Sequence, residues 1–101
     1  MKIYVPRTLP PAIQSVFEAP PSASFNSLVE KALFEMNRLT SADVQSEAGT
    51  QLLRFLQNRG NSYHQDLVDQ ALGTMGRFPN FARARARIAL KALSRLSEMA
   101  A

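Results

Sequence analysis

His64 is the only imidazole in the sequence, and imidazole is the commonest general base in enzymes. It lies two residues after Ser62 and two before Asp66, which are residue types of a nucleophile and an orienting carboxylate. Side chains two apart on a helix point in different directions, so these three do not form a triad. The chain also has no cysteine, which excludes thiolate nucleophiles and thiolate metal sites. We expect no enzymatic activity, no metal site and no cofactor.

Basic residues near the C-terminus form a second group that could do chemistry. The chain carries 12 Lys and Arg against 8 Asp and Glu, a formal net charge of +4. Residues 77–101 hold 6 of the basic residues and only Glu98 as an acid, so this part is +5 and the rest is −1. Four basic residues recur four apart and would share one side of a helix: Arg83, Arg87, Lys91 and Arg95. Such a row indicates nucleic acid, an anionic membrane surface or an acidic protein as partner, or else a solvated helix face.

Apolar residues recur at helical spacing along most of the chain, and this spacing predicts the elements that position the basic row. The predicted helices are a short one between Pro10-Pro11 and Pro20-Pro21, then one each over residues 25–39, after Ser41, after Asn61 and over residues 80–98. In the last helix, Phe81 is predicted to begin the apolar stripe. Arg85 points to the apolar side, where it either extends to the rim or meets Asp66 or Asp69.

The first residues of the chain show a different pattern. Residues 1–11 alternate between apolar and other side chains, which predicts a half-buried strand. Pro6 cannot donate a hydrogen bond to a neighbouring strand, so the strand would lie at an edge or pair with one neighbour.

Two short stretches resemble the ribbon-helix-helix family of DNA-binding proteins, the Arc/MetJ type. Leu9-Pro10-Pro11-Ala12-Ile13 is similar to the junction between the strand and the first helix of that family. Residues 24–33, SFNSLVEKAL, are similar to the Ser-capped start of its second helix. The resemblance covers about residues 2–36, roughly a third of the chain.

The resemblance implies a homodimer in which two strands pair about a twofold axis and the two-stranded ribbon enters the major groove of duplex DNA. The residues that would then contact bases are Lys2, Tyr4 and Thr8. A phosphate would be held at the start of the second helix by Ser24, Phe25 and Asn26. The basic row would add affinity that does not depend on base sequence.

The predicted fold is mainly α, with a short N-terminal strand followed by four to five helices. It comprises a ribbon-helix-helix head over residues 1–39 and a C-terminal helical module, open to a protein partner, over residues 40–101. The implied function is a dimeric, sequence-specific DNA-binding protein of the cytoplasm, such as a small repressor, an antitoxin or an accessory protein of plasmid transfer. No apolar run reaches the roughly 18 residues of a membrane span, so we expect no membrane association.

An all-α helical bundle with an extended N-terminal arm is the alternative fold, and it goes with a different function. The protein would then be a protein–protein interaction module, such as an adaptor, a chaperone or a component of a secretion apparatus, without DNA binding. Amphipathic segments flanked by prolines commonly anchor in grooves of partner proteins. The residues that would contact the partner are Ile13, Val16, Phe17 and Phe34.

Overall fold

Five α-helices make up the regular structure of residues 9–99, the part of the chain described by a computed structural model. Their bounds are α1 Pro11–Phe17, α2 Phe25–Arg38, α3 Ala42–Leu56, α4 Ser62–Met75 and α5 Ala82–Met99. These helices occupy the segments that the apolar spacing predicted, so the helical prediction is confirmed. The longest helix, α5, contacts α2, α3 and α4. None of the helices within residues 9–99 combines the length and the apolar character needed to cross a bilayer.

The predicted ribbon-helix-helix head is wrong for the part of the chain that the structure describes, because residues 9–99 form no strand. Most of the predicted strand lies in residues 1–8, outside the described residues. The physical reason for the correction lies in α1 and α2. The apolar face of α1 packs against α2 and α3, and that of α2 packs against α3 and α5 of the same chain, whereas a ribbon-helix-helix head would bury them against a second chain. The all-α alternative therefore fits the described residues.

Side-chain caps begin three of the helices at the residues that the sequence predicted. The hydroxyls of Ser24 and Ser41 each accept from the backbone N–H three residues further on, at 3.1 and 3.4 Å. The Asn61 side chain accepts from the His64 N–H at 3.0 Å, and His64 Nδ1 accepts from the Asn61 N–H at 3.1 Å, which completes a capping box. These bonds use N–H groups that have no partner within their helix.

The centre of the core is the crossing of α3 and α5, where small residues allow a close approach. A Cβ atom added to Gly49 would lie 2.5 Å from Ala89 Cβ and 3.3 Å from Met36 Cε. Ala86 and Ala92 are buried on the same helix as Ala89, so the inner side of α5 is small from Ala86 to Ala92. Larger side chains with almost no exposed surface belong to the same core: Leu52, Leu53, Leu56, Met75, Leu93 and Leu96.

The short helix α1 is held in place by tertiary contacts, as expected for a two-turn helix that is unstable alone. Ile13 and Val16 are fully buried. Phe17 packs edge-to-face on Phe55 of α3, with ring centroids 5.2 Å apart and an interplanar angle of 85°. Gln14 Nε2 donates to the Leu9 carbonyl at 2.8 Å and fixes the chain that enters the helix.

We expect Gly49→Ala to destabilise the protein, although alanine favours helices. The gain in helix propensity is about 1 kcal/mol, whereas overpacking a close crossing costs about 1–3 kcal/mol. Urea unfolding measures the free energy of unfolding of both variants. Gly73→Ala in α4 is the matched control, because a Cβ atom there meets nothing within 4 Å. The control should keep or raise stability, and an equal gain for both variants would contradict the close crossing.

Candidate functional site

The basic row of α5 consists of Arg83, Arg87, Lys91 and Arg95, and all four side chains are exposed. Twelve residues of helix separate its ends, a length of about 18 Å. Within residues 9–99, none of the four forms an ion pair or a side-chain hydrogen bond. The row is therefore a line of free positive charge on the helix that packs against most of the others.

A groove runs beside this row, between α5 on one side and the end of α2 with the start of α3 on the other. Its volume is about 760 Å³. Arg83, Arg87 and Lys91 line it, and no carboxylate among residues 9–99 does. Leu33 and Leu90 add apolar surface to its lining. We call this space the basic groove.

A second section of about 660 Å³ adjoins the groove at the start of α5, and Ala42, Arg83 and Arg87 line both sections. Phe78 and Phe81 line this section, which we call the aromatic end. Their rings pack edge-to-face with centroids 6.4 Å apart. Phe81 is 64% exposed and Phe78 is 37% exposed, so neither belongs to the core. The site thus combines cations along a groove with accessible aromatic rings at one end.

Sequence reasoning missed the aromatic end. The apolar spacing predicts Phe81 as the first residue of the apolar stripe of the last helix, and this is wrong because Phe81 precedes α5 and is 64% exposed. The Phe81 N–H donates to the Phe78 carbonyl at 3.3 Å, which makes residues 78–81 a tight turn. The sequence Phe-Pro-Asn-Phe carries a signal for this turn, since a Pro-Asn pair favours a turn over a continuing helix.

Arg85 is the basic residue of α5 that anchors the helix and does not line the groove. Its guanidinium donates to Ser46 Oγ at 3.2 Å, to Thr50 Oγ1 at 3.1 Å and to the Met75 carbonyl at 2.6 Å. Ser46 and Thr50 lie on α3 and are buried, while Met75 ends α4. A cation is favourable there because the end of a helix carries partial negative charge. One side chain thus joins α3, α4 and α5.

An ion pair between Arg85 and Asp66 or Asp69, one of the two predicted alternatives, is not formed. Asp69 accepts instead from Gln57 Nε2 at 3.0 Å, and it is exposed. The hydrogen-bond acceptors of Arg85 are neutral oxygen atoms.

The residues predicted to hold a phosphate at the start of α2 do not line the basic groove. Ser24 uses its hydroxyl as the cap of α2. The Phe25 ring stacks on the His64 imidazole, with centroids 4.2 Å apart and planes within 17°. Asn26 is exposed. The predicted base-contacting residues, Lys2, Tyr4 and Thr8, lie outside the described residues.

The residues predicted to contact a protein partner fall into two groups. Ile13 and Val16 have no exposed surface and Phe17 is half-buried, so the core of the same chain accounts for their spacing. Phe34 is 61% exposed on α2, and the Arg38 guanidinium lies 5.7 Å from its ring centre. Phe34 does not line the groove.

Comparison of the chain with protein-family models, with curated proteins and with solved structures yields no match. The function is therefore argued from the geometry and the charge of the basic groove.

We expect Arg85→Met to lower the free energy of unfolding by about 1–3 kcal/mol, because it leaves buried oxygen atoms without a donor. Arg85→Lys should restore little of the loss, since an ammonium lacks the rigid fork of a guanidinium. Urea unfolding measures both variants. Arg95→Met on the same helix is the control and should stay within about 0.5 kcal/mol of the parent protein. Equal losses for positions 85 and 95 would show that Arg85 is not an anchor.

Proposed function

We propose that this protein binds nucleic acid in the cytoplasm through the basic groove of α5, by phosphate contacts that do not depend on base sequence. The observation that carries the proposal is the basic row, four exposed cations one helical turn apart with no carboxylate partner within residues 9–99. Like charges at this spacing repel by a few tenths of a kcal/mol per pair. A nucleic acid backbone offers closely spaced negative charge that removes this repulsion.

The side-chain amides that line the groove already have hydrogen-bond acceptors within the protein, so they are less available to phosphates than the cations are. Gln45 Nε2 already donates to the carbonyls of Met36 and Leu39, at 3.3 and 3.0 Å. Asn37 Nδ2 donates to the Leu33 carbonyl at 3.0 Å. Gln45 thus holds the corner between α2 and α3, and the Asn37 amide donates within α2. The arginine and lysine side chains are therefore the charged donors to phosphate in the groove. Such contacts fix the position of a nucleic acid without reading its sequence.

An acidic amphipathic helix of a protein partner is the second candidate ligand. Leu33 and Leu90 favour it, because an apolar strip between helices is a common seat for such a helix. The basic row favours nucleic acid over this ligand. Arg95 lies one turn beyond Lys91 and outside the groove lining, so the row extends further than an occupant of the groove would need.

We expect the double variant Arg87→Glu with Lys91→Glu to bind nucleic acid at least about tenfold more weakly than the parent protein, since each lost phosphate contact lowers affinity. The measurement is fluorescence anisotropy with labelled oligonucleotides over a series of salt concentrations. For one row on duplex DNA, the logarithm of the affinity should fall against the logarithm of the salt concentration with a slope of about −3 to −4. Light scattering of the complex gives the number of protein chains, and so the number of rows.

The control is the double variant Lys31→Glu with Arg54→Glu, which changes exposed cations outside the groove. Each substitution replaces a cation by an anion and lowers the net charge by two, so either double variant takes the formal net charge from +4 to 0. The control should bind within about twofold of the parent protein, because total charge acts weakly compared with contact charges. Equal losses for both double variants, or an affinity that does not change with salt, would contradict the proposal. Tighter binding of polyglutamate than of nucleic acid would assign the groove to an acidic protein.

A further inference from the structure

We infer that the nucleic acid bound by the basic groove is single-stranded and that one of its bases stacks on Phe81 at the aromatic end. This inference rests on the proposed function and adds the class of ligand. Proteins that bind single strands combine a cationic groove along the backbone with aromatic rings for the bases. The groove of α5 has both parts side by side, because Arg83 and Arg87 line both of its sections.

The exposure of Phe81 is the first support for stacking. Its ring is 64% exposed, although phenylalanine is among the residues most often buried. The turn fixes the backbone of Phe81, since the Arg85 N–H donates to the Phe81 carbonyl at 3.0 Å and α5 continues from there. Phe78 packs against it edge-to-face, at an interplanar angle of 76°. A ring that is open to solvent and stands on a backbone held by hydrogen bonds is suited to receive a flat, uncharged base.

The charges in the groove also favour a ligand with its phosphates along the basic row and one base at the aromatic end. Asp43, in the first turn of α3, lines the aromatic end and is the one carboxylate among residues 9–99 that lines either section. A phosphate beside Asp43 would be repelled, whereas the exocyclic amino group of a base can donate to a carboxylate. Phosphates therefore follow Arg87 and Lys91, and the base lies at the end with Asp43 and the rings.

Duplex DNA fits this arrangement less well than a single strand does. Its bases are stacked on each other and paired, so no base face is available to Phe81 without unstacking, which costs a few kcal/mol. A single strand offers a free face with every nucleotide. The aromatic end would contribute to binding of a single strand and would contribute little to binding of a duplex.

The test compares Phe81→Ala with Phe34→Ala in the full chain, on single-stranded DNA, single-stranded RNA and duplex DNA of one sequence. Phe34 is the matched control, since its ring is 61% exposed and lies outside the groove. We expect Phe81→Ala to weaken single-strand binding by about tenfold, the typical effect of losing one stacked base, and to leave duplex affinity within about twofold. Phe34→Ala should change neither affinity by more than about twofold. Quenching of 2-aminopurine in the oligonucleotide reports the stacking directly, and it should be lost in Phe81→Ala.

The outcomes separate the inference from the proposed function. Row-dependent binding of duplex DNA at least as tight as that of single strands would overturn the inference and leave the proposed function standing. Equal effects of Phe81→Ala and Phe34→Ala, or quenching that persists in Phe81→Ala, would overturn it as well. The absence of binding to any of the three nucleic acids would overturn the proposed function itself. Phe81→Leu, which keeps an apolar side chain of similar size but has no ring, should behave as Phe81→Ala does.

Discussion

The close approach of α3 and α5 at Gly49 and Ala89 is the contact on which the arrangement of the other helices depends. With no Cβ atom on Gly49, the two helices lie too close for any larger residue at that position. The small buried residues of α5, Ala86, Ala89 and Ala92, then leave space for the large side chains of α2 and α4 to pack around them. Dense packing around one central helix stabilises a core of this kind. This packing matters because the free energy of unfolding of a small domain is only a few kcal/mol, about 5–15 kcal/mol for proteins in general.

Rotation of α5 about its own axis is fixed by a polar contact as well as by packing. Arg85 reaches inward to two hydroxyls of α3 and to the last carbonyl of α4. Residues two apart on a helix differ in direction by about 200°, so an inward Arg85 requires Arg83 and Arg87 to point outward. The same sequence run, alternating arginine with alanine, therefore supplies one anchoring cation and the first two cations of the basic row. At the other end of α5, Ser97 donates a hydrogen bond to Glu30 of α2.

The helices and the residues that cap them could be predicted from sequence because they depend on interactions between residues close together in the chain. Apolar spacing gave the helices, and the caps at Ser24, Ser41 and Asn61 depend on residues only three positions away. The basic row followed from spacing alone for the same reason. Its lack of carboxylate partners within residues 9–99, and the groove beside it, depend on how three helices pack and could not be read from spacing.

What the sequence could not supply is the identity of the surface that covers each apolar face. A Leu-Pro junction followed by a Ser-capped helix fits both a dimeric head and an intramolecular bundle. The two folds differ in what covers the apolar faces of these helices, which here is α3 and α5 of the same chain. The partners of Arg85 lie 35 and 39 residues away in sequence on α3, so no local pattern indicated them. Phe81 was misplaced because apolar spacing does not show whether another helix covers a given position.

The central position of α5 has a consequence for the lifetime of the protein. The helix that carries the exposed cations is also the one that holds α2, α3 and α4 together, so the groove exists only when the whole domain is folded. A ligand that binds the folded chain and not the unfolded chain raises the free energy of unfolding by mass action. Occupancy of the groove would then set the fraction of molecules that open transiently, and with it the rate at which proteases degrade the chain.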